Sequence, residues 1–389
     1  MRGEKYMAIK KHYSGLMFTI FFLTIFPSLV FSFNVGNNTC SIQEAVNAAK
    51  AGDKIIIEPG NYMECVVINK PIHLVGKDPL KTVIDGCGRG DALTILNRGV
   101  ILESLTIRNS GGNYSGIYVN NVSNVSIIRC VVTDCYIGIK VDFSRDVYVS
   151  NCEIADNNFA AIRVWGVSEN INVQNCTIRN NRCYGIGLFT YSQNSHILAN
   201  NVFNNSIGIA LLNSKGNQIA KNRLNNNKYG LYLEDRLTKN NTITKNWIFN
   251  NTYGVYLNIF SQEETSNLFC FNNFINNTMQ VYIEPPFFPH NNWNLTYPLG
   301  GNYWSDHTFE DLKSGPFQNV TGSDGFLDKP YYIAPNNMDF YPLSSPYKEQ
   351  INSRSERGGV EVQIAIAIVV VIVVYSVSYL MIKKRSRRT

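Results

Sequence analysis

Short stretches of alternating aliphatic and polar residues return at a nearly constant interval along the middle of the chain. Each stretch follows a small or polar residue and reads aliphatic, variable, aliphatic. The copies recur about every two dozen positions, beginning at Gly116, Gly138, Ala161, Gly185, Gly208, Gly230, Gly254 and Gln280. Self-similarity with a period in the twenties indicates a solenoid rather than a single globular core.

The alternation has a period of two over only a few residues, which favours β-strands over helices. Asn- and Gly-rich turns separate the strands, and the leucine consensus of leucine-rich repeats is absent. We therefore predict an all-β fold, a right-handed parallel β-helix with three short strands per coil and about ten coils. Successive coils of such a solenoid stack about 4.8 Å apart, so equivalent residues lie above one another.

A second column precedes these copies and is expected to form a stack inside the solenoid, because an inward Asn can hydrogen-bond to the Asn of the next coil. The column is Cys130, Cys152, Cys176, Asn201, Asn222, Asn246 and Asn273. The apolar residues expected to follow it inward are Val132, Ile154, Ile178, Phe203, Leu224, Ile248 and Ile275. The three cysteines are interpreted as small buried hydrophobes rather than metal ligands.

Changes in composition divide the chain into seven segments. They are a signal peptide or N-terminal anchor (1–33), an N-terminal cap (34–53), the β-helix (54–284), a C-terminal cap (285–347), a polar linker (348–361), a transmembrane helix (362–382) and a basic cytoplasmic tail (383–389). The capping box Ser41 to Glu44 predicts a short helix that covers the first coil. The positive tail places the bulk of a single-pass protein outside the cell membrane.

The net charge of +6 arises at the two ends, which carry about +3 and +5, so the exported part is near −2. This distribution argues against nucleic acid as a partner. Nine cysteines permit disulfides in an exported chain, but the sequence leaves their connectivity open. Eleven Asn-x-Ser/Thr sequons are compatible with a surface glycoprotein, although turns this rich in Asn also produce sequons by chance.

The opening stretch IQEAVNAAKAGDKIIIEPGNYMECVVINKPIHLVGKDPLKTVIDG, which starts at Ile42, resembles pectin-lyase-like right-handed β-helix proteins. It is most similar to the NosD-type periplasmic β-helix family and to related carbohydrate-binding and sugar-hydrolysis domains. The stretches 300–306, 322–333 and 339–343 resemble the ending of NosD-like surface proteins. The resemblance extends over roughly residues 40–345.

This resemblance implies two metals, calcium and copper. A calcium loop of the relatives is reduced here to Asp324 and Asp328, with Asp306 and Asp339 as distant candidates, so no cofactor is expected apart from a weak calcium site. The NosD name implies copper handling, but the five histidines are scattered and no Met/His cluster is present. The alternative to a calcium site is a C-terminal cap, in which the aromatic residues Trp304, Tyr331 and Tyr332 are expected to plug the last coil.

Alternation predicts which side chains after each small residue point outward. Nine of them are candidate ligand-binding residues: Tyr118, Lys140, Asp142, Arg163, Trp165, Phe189, Tyr232, Glu234 and Tyr256. Asn120, Leu212, Asn258, Tyr282 and Glu284 complete the face, with a shallow dip at Gly187 and Ala210. Flat aromatic rings beside hydrogen-bonding groups suit sugar rings along a polymer, but aromatic residues also favour outward strand positions without any ligand.

No residue is assigned a catalytic role. Asp142 and Glu234 lie four coils apart, or about 20 Å at the usual spacing of strands, which is too far for paired acid–base work. Asp134 and Asp156 lie one coil apart, at a suitable distance, but their positions predict turn residues and not a catalytic pair. The main hypothesis is therefore a membrane-tethered surface protein that binds polysaccharide or glycan.

Three alternatives stay open. The first is a polysaccharide lyase or glycoside hydrolase. A lyase could use Lys140, Asp142 and Arg163 on adjacent coils beside a calcium-bound uronate, whereas the Asp-Asp pair and the Gly-His-Gly tripeptide of polygalacturonase-like hydrolases are absent. A structural surface component would need no ligand. A NosD-type copper-maturation factor would follow from the family name alone.

Overall fold

The chain folds as an all-β right-handed parallel β-helix of about ten coils, as the sequence predicts. The computed structural model describes residues 32–36, 41–260 and 265–348. Within these residues, no helix is long and apolar enough to cross a membrane. The predicted transmembrane helix at 362–382, the basic tail and nearly all of the predicted signal segment lie outside the described residues.

Each coil contributes one strand to each of three parallel sheets, named A, B and C in the order in which the chain visits them. The strands of sheet A are Ser32–Val35, Lys54–Ile57, His73–Gly76, Ile101–Glu103, Ser123–Ile128, Arg145–Ser150, Glu169–Gln174, His196–Leu198, Gln218–Ala220, Thr242–Thr244 and Leu268–Cys270. The strands of sheet B are Gly60–Tyr62, Thr82–Asp85, Thr106–Arg108, Val131–Thr133, Glu153–Ala155, Thr177–Arg179, Asn201–Phe203, Arg223–Asn225, Trp247–Phe249, Asn273–Ile275 and Tyr303–Trp304.

Sheet C contains longer strands over most of its height. Its strands are Val66–Ile68, Leu93–Ile95, Ser115–Asn120, Ile137–Asp142, Ala160–Trp165, Tyr184–Phe189, Ile207–Leu212, Tyr229–Glu234, Tyr253–Asn258 and Met279–Ile283. Two small antiparallel hairpins follow, Lys313–Ser314 with Val320–Thr321 and Tyr331–Ala334 with Asn337–Asp339. The aliphatic residues of the repeat, such as Ile139 and Val141, are fully buried inside the solenoid.

The three corners of the solenoid are held by ladders of buried side-chain amides. At the corner between sheets A and B, the side-chain oxygen of Asn222 accepts hydrogen bonds from the backbone N–H and the side-chain amide of Asn200, at 2.9 and 3.0 Å. Asn222 in turn donates to Asn246 with the same geometry. Because these amides are fully buried, each one satisfies a corner N–H that no strand partner can reach.

The same arrangement occurs at all three corners, whereas the sequence analysis identified only one. The ladder between sheets A and B contains Asn200, Asn222, Asn246, Asn272 and Asn302; the ladder between B and C contains Asn157, Asn181, Asn205, Asn227, Asn251 and Asn277; the ladder between C and A contains Asn217, Asn241, Asn267 and Asn291.

Two members of the predicted column are wrong by one residue. Asn200 and Asn272 occupy the ladder, while Asn201 and Asn273 begin sheet B strands. The inward apolar residues there are accordingly Val202 and Phe274, not Phe203 and Ile275. Since the side chains of a strand alternate between two faces, a shift of one residue reverses every assignment in it.

The cysteines Cys130, Cys152 and Cys176 continue the ladder between A and B toward the N-terminus, and their buried positions confirm the interpretation as small core residues. The eight cysteines in the described part of the chain are free thiols, and Cys40 lies outside it. Asp134 and Asp156 have positive φ angles of 53° and 58°, so they are turn residues, as predicted.

The helix Ile42–Ala48 covers the first coil, as the capping box predicts. Ser41 accepts a hydrogen bond from the backbone of Glu44, and the Glu44 carboxylate accepts one from the backbone of Ser41. The Gln43 side chain accepts from the N–H of Val67 at 2.7 Å and donates to its carbonyl at 3.2 Å, which satisfies the open edge of sheet C. The boundary expected at residue 33 falls inside the strand Ser32–Val35, which extends sheet A.

The C-terminal cap plugs the last coil with stacked aromatic rings. Trp293 stacks on Phe269 and Trp304 stacks on Tyr331, with ring centroids 4.3 and 4.1 Å apart. Trp304 and Tyr331 therefore have the predicted role. Tyr332 does not, because its side chain is 62% exposed and belongs to the outer side of the hairpin.

The C-terminal hairpin also ends two of the ladders. The side-chain oxygen of Asn337 accepts from the backbone of Asn291 at 3.2 Å and from the Trp293 indole at 2.9 Å. One hairpin residue thus provides the acceptor for the last rung of the ladder between C and A and fixes the orientation of a plugging ring.

Asp339 ends the ladder between A and B in the same way. Its carboxylate accepts from the backbone of Asn302 at 2.8 Å and from the Trp304 indole at 2.9 Å, and it is fully buried. The Asp339 carboxylate packs directly against the backbone of Gly301, where a Cβ would lie 1.9 Å from a carboxylate oxygen. Only glycine therefore fits at position 301. Burial raises the pKa of Asp339 to about 7, against the opposing effect of these hydrogen bonds.

The adjacent residues Asn200 and Asn201 give a matched test of the ladder. We expect Asn200→Ala to lower the free energy of unfolding by roughly 2–5 kcal/mol, because it removes a buried amide with several hydrogen bonds. Asn201→Ala should cost less than about 1 kcal/mol, because this side chain faces outward. Urea unfolding of both variants measures the difference, and equal losses would show that the register is wrong.

Asp339 should make stability depend on pH. The pKa of this carboxyl is about 4 in the unfolded chain and about 7 in the folded protein. Between these two pH values the folded state holds a proton that the unfolded state has lost. The contribution of Asp339 is therefore largest below about pH 4 and is lost as the pH rises through about 7, by up to about 1.4 kcal/mol per pH unit. Urea unfolding over this range should show the slope in the wild type and a flatter curve in Asp339→Asn. Parallel curves would contradict the assignment.

Candidate ligand-binding face

The predicted outward residues of sheet C do lie on one wall, in vertical rows. The strand register aligns the first row as Tyr118, Lys140, Arg163, Gly187, Ala210, Tyr232, Tyr256 and Tyr282. The second row aligns Asn120 with Asp142 and Trp165, and Phe189 with Leu212, Glu234 and Asn258. We call this wall the aromatic face. Its six-residue strands end at the fourth position after the small residue, as the alternation assumed.

The C-terminal half of the aromatic face is a continuous group of tyrosine rings. This tyrosine cluster consists of Tyr229, Tyr232, Tyr253, Tyr256 and Tyr282. Tyr232 stacks on Tyr256 and Tyr229 stacks on Tyr253, with centroids 5.5 and 5.2 Å apart and nearly parallel planes. Edge contacts join the two stacks. The rings hold one another in place and remain half-exposed, so the cluster presents a preformed aromatic surface.

Polar groups along the cluster fix its hydroxyls. The Tyr256 hydroxyl donates to the Glu284 carboxylate, and Asn258 donates to the Tyr232 oxygen at 3.3 Å. Burial, followed by the hydrogen bond to Glu284, raises the pKa of Tyr256 well above its ordinary value. Burial likewise raises the pKa of Tyr232. The Tyr232 and Tyr256 hydroxyls therefore stay protonated at neutral pH and offer hydrogen-bonding groups at the edge of the rings.

The dip expected at Gly187 and Ala210 is filled, and this expectation is wrong. The ring of Phe189 folds back over Gly187, where a Cβ would lie 2.1 Å from a ring carbon. Phe189 is consequently buried, with a T-shaped contact to Tyr184 and a tilted contact to Trp165. Phe189 therefore packs against Tyr184 and Trp165 and does not present a flat surface to a ligand.

The N-terminal half of the aromatic face carries paired charges. Lys140 lies 3.1 Å from the Asp142 carboxylate and 4.2 Å from the centre of the Tyr118 ring. The Tyr118 hydroxyl donates to the same carboxylate at 3.2 Å, and burial together with Asp142 raises the pKa of Tyr118 to about 12. Arg163 stacks over Trp165 at 4.8 Å. These candidate residues therefore contact one another through ion-pair, hydrogen-bond and cation–π interactions. The second carboxylate oxygen of Asp142 is buried and has no hydrogen-bond partner among the described residues.

These pairings give little support to catalysis on this face. Asp142 and Glu234 lie on strands of sheet C that are four coils apart in the register, as predicted. Lys140 forms an ion pair with Asp142 and is held within the face. A pair of carboxylates at the separation that glycoside hydrolysis needs is therefore not formed by these residues.

Comparison with known proteins identifies the family. The family model described as "Periplasmic copper-binding protein (NosD)" matches residues 83–308, more than half of the chain. The chain belongs to the NosD family. The match extends over the coils that carry both halves of the aromatic face and reaches into the C-terminal cap.

Solved structures similar to this NosD-family chain include three carbohydrate-active proteins. Pectate lyase Pel9A shares 14% identity, with 83% of this chain and 90% of that chain covered and a TM-score of 0.46. Pectin methylesterase PemA from Erwinia chrysanthemi shares 13% identity over 52% and 80%, with a TM-score of 0.39. The Azotobacter vinelandii mannuronan C-5 epimerase AlgE6 A-module shares 15% over 67% and 97%, with a TM-score of 0.40. No curated protein sequence matches the chain.

Copper, which the family description implies, does not fit the side chains of this NosD-family chain. No group of three or more His, Cys, Asp or Glu residues converges in the described parts of the solenoid and cap. The stacked thiols of Cys130, Cys152 and Cys176 each donate to a backbone carbonyl two residues earlier, at 3.3 to 3.4 Å. Hydrogen bonds from neighbouring thiols and burial raise the pKa of Cys152 and Cys176, which opposes metal binding by these two as thiolates, whereas the hydrogen bond with Cys152 lowers the pKa of Cys130.

The two aspartates expected to hold calcium bind backbone and side-chain donors instead. Asp324 accepts from the backbone of Gly315 at 3.1 Å and from the Gln318 amide at 2.9 Å. Asp328 accepts from the backbone of Leu312 at 3.1 Å. Both carboxylates therefore organise the loop of the C-terminal cap, and calcium at Asp324 and Asp328 stays a prediction.

Proposed function

We propose that this NosD-family chain is an exported surface protein that binds polysaccharide along the aromatic face without cleaving it. The observation that carries the proposal is the tyrosine cluster, in which five half-exposed rings cover successive coils of one flat wall. Such rings would contact the apolar faces of sugars, while Glu234, Asn258 and Glu284 beside them would bind sugar hydroxyls.

The regular spacing of the wall favours a polymer over a single sugar. Equivalent rings recur on three successive coils at Tyr232, Tyr256 and Tyr282, with centroids 5.5 and 5.1 Å apart, so a chain of similar units would meet similar contacts as it runs along this part of the solenoid axis. Many weak, repeated contacts add up to useful affinity even though each one is small.

The proposed location is the outer side of the cell membrane. The family is described as periplasmic, which agrees with an exported solenoid. We further propose that residues 362–382 tether it as a single span with the basic tail inside, because this segment is almost wholly aliphatic and the tail is strongly positive.

The aromatic face can be tested with the full-length chain on a glycan array, followed by affinity measurements on the glycans that bind. We expect Tyr232→Ala and Trp165→Ala each to weaken binding about tenfold, or about 1.4 kcal/mol, because each removes a ring from the contact surface. Tyr148→Ala is the matched control, since Tyr148 is 40% exposed on sheet A, a different wall.

Two results would contradict the proposal. One is the absence of binding to every glycan tested; the other is binding that is indifferent to Tyr232 and Trp165 or equally sensitive to Tyr148. Release of shorter products from a bound polymer would instead favour the polysaccharide lyase or hydrolase alternative.

A further inference from the structure

A cleft of about 600 Å³ lies at the corner between sheets C and A, beside the N-terminal half of the aromatic face. It follows from unequal turn lengths on successive coils. Residues 121–122 and 143–144 make two-residue turns, whereas residues 96–100 and 166–168 make turns of five and three residues. The short turns form the floor and the longer turns form the walls, so the cleft spans four coils, or about 14 Å along the axis.

The floor and walls of the cleft carry an exposed apolar surface. Leu96, Phe143 and Val167 are 47%, 57% and 64% exposed, and all three line the cleft. Phe143 has a positive φ of 50° and its ring lies over Gly166, where a Cβ would be 2.6 Å from the ring. The missing side chain at Gly166 lets this ring rest against the next coil as a fixed shelf.

Two arginines line the same cleft. Arg98 comes from the long turn at one end, and Arg145 begins the sheet A strand that follows the turn containing Phe143. Within the described residues neither guanidinium forms an ion pair, whereas Arg108, Arg129 and Arg179 each do. The acidic lining residue, Glu169, is the register partner of Arg145 on the next strand of sheet A and accepts a hydrogen bond from Asn194 at 2.9 Å. Two arginines against one glutamate leave the cleft with an excess of positive charge.

We infer that this cleft binds an acidic sugar unit, a uronate, of the polysaccharide that the aromatic face holds. The inference rests on the proposed function. A guanidinium pairs with a carboxylate through two parallel hydrogen bonds, and two arginines without ion pairs in one recess suit such a group. The apolar shelf of Phe143 and Val167 suits the carbon face of the sugar ring. Trp165 ends its sheet C strand one residue before Gly166, so the aromatic face and the cleft are continuous.

The test compares oligogalacturonate with its fully methyl-esterified form, using the full-length chain and calorimetry. We expect the free acid to bind at least tenfold more tightly than the ester and to weaken with added salt. The double variant Arg98→Gln/Arg145→Gln should remove this preference, so that both forms bind equally weakly. Arg236→Gln is the matched control, because Arg236 is an exposed arginine at the same corner farther along the solenoid.

A second variant probes the apolar shelf. Phe143→Asn keeps a residue that tolerates positive φ and removes only the ring, so the fold should be preserved. It should weaken both oligomers about equally. Inorganic phosphate that displaces the free acid at similar concentrations would overturn the assignment to a sugar, because it would show that charge alone is recognised.

The outcomes separate this inference from the proposed function. Equal binding of acid and ester by the wild type, or an unchanged preference in the arginine double variant, would overturn the uronate cleft while leaving the aromatic face intact. Loss of preference in the double variant with no effect of Tyr232→Ala would support the cleft and contradict the aromatic face.

Discussion

The structure depends on hydrogen bonding at the corners of the solenoid. Strands of neighbouring coils satisfy each other in the sheets, but at every corner the backbone turns and leaves an N–H buried without a strand partner. A stacked asparagine such as Asn222 solves this, because its side-chain oxygen accepts from the coil before it and its amide donates to the coil after it. The residue before a rung has a positive φ, as at Lys221 and Asn226, which turns the chain and aims the next side chain inward.

A ladder of this kind has two ends, and the hydrogen-bonding groups left open at these ends account for the residues found in the caps. The last rung offers donors that need an acceptor, and Asn337 and Asp339 provide acceptors from one hairpin for two corners. The same two residues hold the indoles of Trp293 and Trp304 over the open core. At the other end, Gln43 bonds the open edge of sheet C. Side-chain hydrogen bonds therefore close both ends of the solenoid, and at the C-terminal end they continue the asparagine ladders.

Strict register inside the solenoid is what arranges its outward side chains in vertical rows. Because each coil repeats the path of the one before it, Tyr232, Tyr256 and Tyr282 become vertical neighbours although a full coil of chain separates each from the next. Variation is confined to turn lengths and outward side chains, which leave the ladders untouched. The aromatic face differs from the other outer surfaces of the solenoid in its outward side chains, and the arginine-lined cleft differs in its turn lengths as well.

The sequence predicts the fold and the row of outward residues well, because period-two alternation and small turn residues are local signals. It assigns Asn201 to the ladder in place of Asn200, since two adjacent asparagines followed by Val202 and Phe203 fit either register. The repeated Asn-Asn pairs, such as Asn226 and Asn227, carry a signal for a second ladder: the first turns the chain and the second forms a rung.

Other features could not be predicted from local patterns. Phe189 has the alternation of an outward residue, but the neighbouring glycine gives its ring a place to fold back. The acceptors Asn337 and Asp339 lie far along the chain from the rungs Asn291 and Asn302 that they complete, so only the tertiary structure reveals them. The cleft depends on comparing turn lengths between coils, which requires the strand boundaries.

Hydrogen exchange of asparagine side-chain amides, followed by NMR, tests the ladders most directly. The account predicts that the amide protons of Asn222, Asn227 and Asn241 exchange as slowly as the backbone of the buried strands, while those of Asn201 exchange freely. Fast exchange at the predicted rungs, or equal protection of Asn201, would contradict the central claim that stacked amides hold the coils in register.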